Sequence, residues 1–249
     1  MGLKKNIMKK VILSLLFLCT VLVSCESDTT GGVSRVTGYP TFTVLGDDVI
    51  YVQKGTTYTD PGVIVTENGI EIPFQTTISG SYRGGTSIDT NVVDIYSVLY
   101  SAVNQDGFAG SASRTVIVYE NSDLISSIAG LYKSTVVRNG VVSAQYANME
   151  YVLVWQNANG TYEMSDGIGG YYNLGRGYGV GYAAGPVIIT ANNIATNNYA
   201  PIPSFGVGAF GGVANMSGLT ANPVANTLSF STTWDAGFTF VVTMTKVVL

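Results

Sequence analysis

Val92-Val93-Asp94-Ile95-Tyr96-Ser97-Val98-Leu99-Tyr100-Ser101-Ala102 is the stretch on which the fold turns. Val92, Asp94, Tyr96, Val98 and Tyr100 alternate with Val93, Ile95, Ser97, Leu99 and Ser101. This period of two predicts a long strand with one strongly apolar face. Shorter runs of the same kind surround it: Thr41 to Leu45, Val49 to Val52, Gly62 to Thr66, Thr76 to Ser79 and Ser113 to Tyr119. Gly, Asn and Asp punctuate them, and no segment keeps a helical period. About seven short strands in this span fit an Ig-like β-sandwich, here over residues 40–120. Asp60-Pro61-Gly62 reads as a turn, with Pro fixing φ and the Asp side chain free to accept from nearby backbone N–H groups.

Beyond the short polar hinge Glu120-Asn121-Ser122-Asp123, the run Leu124 to Gly130 predicts one helical turn with Asp123 as its N-cap. The pattern then returns to strands: Leu131 to Val137, Tyr151 to Trp155, Thr161 to Ser165, Tyr178 to Tyr182, Val187 to Thr190, Thr227 to Thr232 and Phe238 to Val247. Arg138-Asn139-Gly140-Val141 and Asn157-Ala158-Asn159-Gly160 supply turns between them. The whole protein is therefore expected to be all-β, with a C-terminal antiparallel β-barrel or β-sandwich over residues 124–249. A lipocalin-like barrel is one form this could take.

Residues 1–24 read as an export signal. Lys4, Lys5, Lys9 and Lys10 precede an apolar run from Val11 to Val23 that is too short for a membrane span. Leu22-Val23-Ser24-Cys25 resembles the bacterial lipobox, which implies cleavage before Cys25 and acylation of that cysteine. Residues 25–39 are Thr-, Gly- and Ser-rich and read as a flexible tether. Its opening Glu26-Ser27-Asp28 is similar to the acidic export signal of Bacteroidetes lipoproteins, which implies an outer-membrane protein facing the cell exterior.

Cleavage would remove Cys19 and lipid would occupy Cys25, so no thiol remains for a disulfide or a metal site. It would also remove four of the 12 basic residues and none of the 16 acidic ones. An acidic chain gives nucleic-acid binding no electrostatic support. The sequence has no His, which excludes Ser-His-Asp and Cys-His catalysis and His-ligated zinc. Clustered carboxylates make Asp47, Asp48 and Asp60 weak calcium candidates, but they lack the spacing of a calcium loop. No cofactor is expected.

Several of these residues carry a wider resemblance. Gly46-Asp47-Asp48, Lys54-Gly55-Thr56-Thr57-Tyr58-Thr59-Asp60-Pro61-Gly62-Val63, Tyr96 to Ala102 and Arg114-Thr115-Val116-Ile117-Val118 resemble an Ig-like domain of unknown function. That domain recurs in Bacteroidetes surface lipoproteins and in insecticidal crystal proteins. Ile128-Ala129-Gly130-Leu131-Tyr132, Gly160 to Tyr172 and Arg176-Gly177-Tyr178-Gly179 resemble the C-terminal domain that follows it in lipoproteins found near polysaccharide-utilisation machinery. The resemblance carries no catalytic residues with it.

Residues 124–249 hold 16 aromatic residues and 17 glycines against eight charges. Flat rings offer apolar area to the C–H faces of sugars while a nearby charge fixes hydroxyls. Trp155, Asp166, Tyr171, Tyr172, Arg176, Tyr178, Trp234 and Asp235 are therefore the candidate ligand-binding set. Alternating Tyr residues suit a β core equally well, and glycines suit close packing and bends. Glu150, Glu163, Asp166 and Asp235 are the only acids available for hydrolysis. The expected protein is a non-catalytic surface lipoprotein that binds a polysaccharide or oligosaccharide. The alternatives are a structural or adhesion subunit docking onto an outer-membrane protein, and a lipocalin-like small-ligand binder.

Overall fold

The computed structural model describes residues 37–249, so the signal, Cys25 and most of the tether lie outside the described residues. Seven strands build the Ig-like domain: β1 (Thr41–Val44), β2 (Val49–Gln53), β3 (Val63–Glu67), β4 (Ile70–Glu71), β5 (Gln75–Gly80), β6 (Asp94–Val103) and β7 (Ala109–Tyr119). They form two sheets, ordered β1-β3-β4 and β2-β7-β6-β5. β6 is the long alternating strand. Its side chains Asp94, Tyr96, Val98, Tyr100 and Ala102 are buried, and the apolar ones pack with Val52, Val63, Val65, Val116 and Val118.

Two polar groups inside this domain are satisfied by specific partners, as burial demands. Asp94 accepts from Tyr82 N–H and Ile95 N–H at 2.9 and 2.8 Å and from Arg83 N–H at 2.9 Å, which fixes the loop after β5. Arg114 is fully buried. It pairs with Asp60 and donates to the carbonyls of Leu45 and Asp47. Asp60 also accepts from Tyr100 Oη at 2.6 Å and Gly62 N–H at 3.0 Å. Its carboxylate is thus committed to the protein, while Asp47 and Asp48 are exposed on the adjoining loop. No group of three or more metal-ligating side chains occurs among the described residues.

The C-terminal part contains β8 (Gly130–Arg138), β9 (Met149–Gln156), β10 (Tyr162–Met164), β11 (Val187–Ile189), β12 (Ala191–Asn193), β13 (Asn198–Tyr199), β14 (Phe205–Gly206), β15 (Val213–Asn222), β16 (Thr227–Trp234) and β17 (Phe238–Lys246). Eight of these make one antiparallel sheet, β11-β10-β9-β8-β17-β16-β15-β14, and β12 pairs with β13 apart from it. The sheet curls until its edges meet. Ala184 bridges Val207, and Gly185 N–H donates to Gly206 carbonyl at 3.0 Å. The result is a nearly closed barrel.

The chain itself plugs that barrel. Asp166-Gly167-Ile168-Gly169-Gly170 crosses the interior, with Ile168 buried in the core and Thr232 Oγ donating to Gly167 carbonyl at 2.6 Å. A Cβ on Gly167 would lie 2.5 Å from the Phe205 ring. One on Gly169 would lie 2.6 Å from Ser134 Oγ and Val242 Cγ1 and 2.8 Å from Val136 Cγ2. Side chains from the strands and this inserted segment fill the space that a lipocalin-type ligand would occupy.

Three sequence expectations differ from the structure. Tyr178 to Tyr182 is not a strand; it is a loop ending in a short 3-10 turn over Val180–Tyr182. Leu124 has φ of 60°, which breaks the expected helical turn, although Asp123 still accepts from Ile125 and Ser126 N–H. β15 escaped sequence reading because a bulge between Ser217 and Thr220 shifts its register. Ala214 and Met216 face inward on one phase, Leu219 and Ala221 on the other.

Tyr39–Leu249 forms one compact body. β9 is buried on both faces: Val152 and Val154 point into the barrel core, while Tyr151, Leu153 and Trp155 pack with Val93 and Ile117 of the Ig-like domain. Tyr51 and Tyr151 share a hydrogen bond of 2.6 Å across this contact. Glu120 pairs with Lys54 and accepts from Gln156 N–H at 3.1 Å. The Ig-like domain is therefore fastened to the barrel.

Candidate functional site

Aromatic side chains gather at one end of the barrel. Tyr171 and Tyr172 begin a π-helical turn over Tyr171–Gly175 that follows the plug. Tyr178 and Tyr182 come from the next loop, Phe210 from the β14–β15 connection, and Trp234 and Phe238 from the β16–β17 turn. Phe210 links them, with ring centres 4.8 Å from Tyr172, 5.0 Å from Tyr182 and 6.0 Å from Trp234. Tyr178 lies 5.2 Å from Tyr182. Two rings are open to solvent, Tyr178 at 48% and Phe210 at 46% exposure.

Charges border the cluster. Arg138 lies 4.9 Å from the centre of the Tyr171 ring and 4.8 Å from that of Phe238. Hydrogen bonding to Tyr178 and then Tyr171 raises the pKa of exposed Arg176, keeping it cationic. Asp235 accepts from Val213 N–H at 2.9 Å. The Trp234 indole N–H has no partner among the described residues.

The structure thus brings Tyr171, Tyr172, Arg176, Tyr178, Trp234 and Asp235 together, but only Tyr178, Arg176 and Asp235 are well exposed. Tyr171 and Tyr172 are buried supports. Trp155 is sealed at the domain junction and Asp166 inside the barrel, so neither offers a free face to a ligand at this patch. Sequence reasoning missed Phe210, Tyr182, Phe238 and Arg138. The run Gly208-Ala209-Phe210-Gly211-Gly212 carries the same glycine-and-ring signal as residues 167–182. Trp155 had its own signal, since an unbroken apolar run from Tyr151 to Trp155 marks a strand covered on both faces.

Asp166 is structural in a testable way. Burial pushes its carboxyl up to about 7, against the pull of N–H groups from Ile168, Gly170 and Ala184. Only the 3.0 Å bond from Ile168 N–H has normal geometry, and Oδ2 makes none. The folded state therefore holds a proton that the unfolded chain releases above the ordinary carboxylate range, and stability falls as pH rises toward about 7. Asp166→Asn should gain about 3 kcal/mol over wild type between pH 5 and pH 8. Urea midpoints at the two pH values test this; parallel changes in both proteins would refute a protonated Asp166.

A family model for a bacterial surface protein Ig-like domain matches residues 42–118. A second, for a C-terminal domain, matches residues 121–246, just over half of the chain. The chain belongs to the family defined by this C-terminal domain, here preceded by an Ig-like domain of the bacterial surface type. A crystal structure of the lipoprotein BT2262 from Bacteroides thetaiotaomicron is similar, with 27% identity, a TM-score of 0.61, and coverage of 84% of this chain and 100% of that one. No curated protein matches the sequence. The aromatic end of the barrel in this chain gathers seven rings, of which Tyr178 and Phe210 are exposed.

Proposed function

We propose that this protein is a non-catalytic lipoprotein, anchored through Cys25 to the outer membrane and facing the exterior, that binds a glycan through the aromatic end of its barrel. The observation that carries the reading is the exposed pair Tyr178 and Phe210, held by Tyr172, Tyr182 and Trp234 and flanked by Arg176 and Asp235. Solvent-facing rings with polar neighbours suit the C–H faces and hydroxyls of sugars. Three of the four acids of the barrel are engaged elsewhere, Glu150 with Lys133, Asp166 in the interior and Asp235 with the backbone of Val213. Glu163 alone lacks the second free carboxyl that glycoside hydrolysis needs, which favours binding.

Affinity electrophoresis through neutral polysaccharides, using the chain from residue 26, should retard the wild type. Tyr178→Ala and Phe210→Ala should each weaken retention about tenfold, equivalent to about 1.4 kcal/mol, with the folded β structure retained by circular dichroism. Absence of retention on every polymer, together with co-purification of an outer-membrane protein that Tyr178→Ala releases, would replace this reading with the docking-subunit one. Labelling of intact cells with a membrane-impermeant reagent tests exposure, and protection until lysis argues against it.

A further inference from the structure

We infer that the ligand path continues from the aromatic end across the loop Arg176–Tyr182 into the cleft between the two domains, so that the protein holds an interior stretch of a neutral polysaccharide chain and the Ig-like domain takes part in holding it. This inference rests on the glycan reading above.

The loop is the physical link. Tyr178 and Tyr182 face the aromatic cluster, while Val180, at 42% exposure, and Gly181 line the junction between the domains. There, clefts of 430 and 380 Å³ lie on either side of Tyr82 and share Ser81, Tyr82 and Val180 as walls. Each volume falls in the range that small ligands occupy. Tyr82 belongs to the Ig-like domain and is held in place from two sides. Asp94 fixes its backbone, and Asn173 Nδ2 donates to its hydroxyl at 2.8 Å.

The lining chemistry matches sugar on both counts. Tyr82, Val180 and Pro186 offer apolar surface, and Glu163 offers carboxylate oxygens to hydroxyls. Glu163 has no ion-pair or hydrogen-bonding side-chain partner among the described residues, so its carboxylate is available to accept. The Trp155 indole N–H beside the first cleft is likewise unpartnered. Arg83 covers that ring at 5.4 Å. Glu150 in the second cleft is paired with Lys133, but the unpaired Glu163 carboxylate in the first cleft would repel a polymer bearing carboxylates, which assigns a neutral chain.

The protein's two tryptophans make the test direct, because Trp155 borders the cleft and Trp234 belongs to the aromatic cluster. Single-tryptophan forms, Trp234→Phe and Trp155→Phe, are titrated with gluco-, xylo- and manno-oligosaccharides of three and eight units. Trp234 should respond to both lengths of the bound sugar, and Trp155 only to the longer. Gly181→Phe, tested by calorimetry in the otherwise unchanged protein, adds a ring where a Cβ meets no atom within 4 Å. It should lower octasaccharide affinity at least tenfold and leave trisaccharide affinity unchanged; Glu163→Gln should act in the same direction. A silent Trp155 alongside a responding Trp234, or Gly181→Phe with full octasaccharide affinity, overturns the extended path and leaves the aromatic site standing. Silence of both tryptophans with every sugar overturns both.

Discussion

Arg114→Met should cost the protein about 3 to 5 kcal/mol at neutral pH, because removing one partner of a buried ion pair strands the other. The lower part of that range is expected, since Asp60 keeps 30% exposure of its side chain whereas Arg114 has none. Two backbone carbonyls, those of Leu45 and Asp47, lose their donor at the same time. The effect has a defined pH sign. Burial acts to raise the Asp60 pKa, but Tyr100, Gly62 N–H and Arg114 together outweigh it and hold the carboxyl below its usual range. A carboxylate with a depressed folded-state pKa contributes stability above its unfolded pKa and loses it as pH falls through the folded one. The gap between wild type and Arg114→Met should therefore be full at pH 7 and shrink on the acid side. Urea denaturation across that range tests this, and a gap independent of pH would mean that Arg114 acts by packing alone.

Gly169→Ala should destabilise the barrel by about 3 kcal/mol, combining a strained positive φ with overpacking. Gly169 has φ of 66°, and its missing Cβ faces Ser134, Val136 and Val242 at 2.6 to 2.8 Å. The valines are branched and buried, and so cannot swing aside. Gly177 provides the control, with the same φ of 66° but no atom within 4 Å of a Cβ. Gly177→Ala should therefore show only the conformational part, about 1 kcal/mol. In a body of this size the difference corresponds to a melting temperature about 4 to 8 °C lower for Gly169→Ala than for Gly177→Ala. Equal melting temperatures would show that the plug segment leaves the interior readily.

Much of the architecture was legible locally. The alternation of β6 and the Asp60-Pro61-Gly62 turn each depend on residues within a few positions of one another, and the structure contains both. The β9–β10 hairpin at Asn157–Gly160 is equally local, with Asn157 N–H donating to Thr161 carbonyl at 2.8 Å. β15 was not legible, because its bulge breaks the period of two on which strand reading depends. The candidate site was legible in part. The glycine- and tyrosine-rich segment was a true signal, but it serves two purposes in succession: residues 166–173 fill the interior and end of the barrel, and residues 176–182 run out over its surface.

The sequence by itself determined the all-β class, the two-domain order and the placement of rings and glycines along the chain. These follow from periodicity and turn chemistry, which act over short distances. Only the tertiary structure decided which rings meet solvent. Trp155 and Tyr178 are both aromatic residues near β-rich segments, yet one is covered by Arg83 and the Ig-like sheet and the other stands at the open end of the barrel. Exposure depends on what the closing of the sheet and the docking of a second domain bring against each face. Those partners lie far away in the sequence: Val93 and Ile117 against Trp155, Phe210 and Trp234 beside Tyr172.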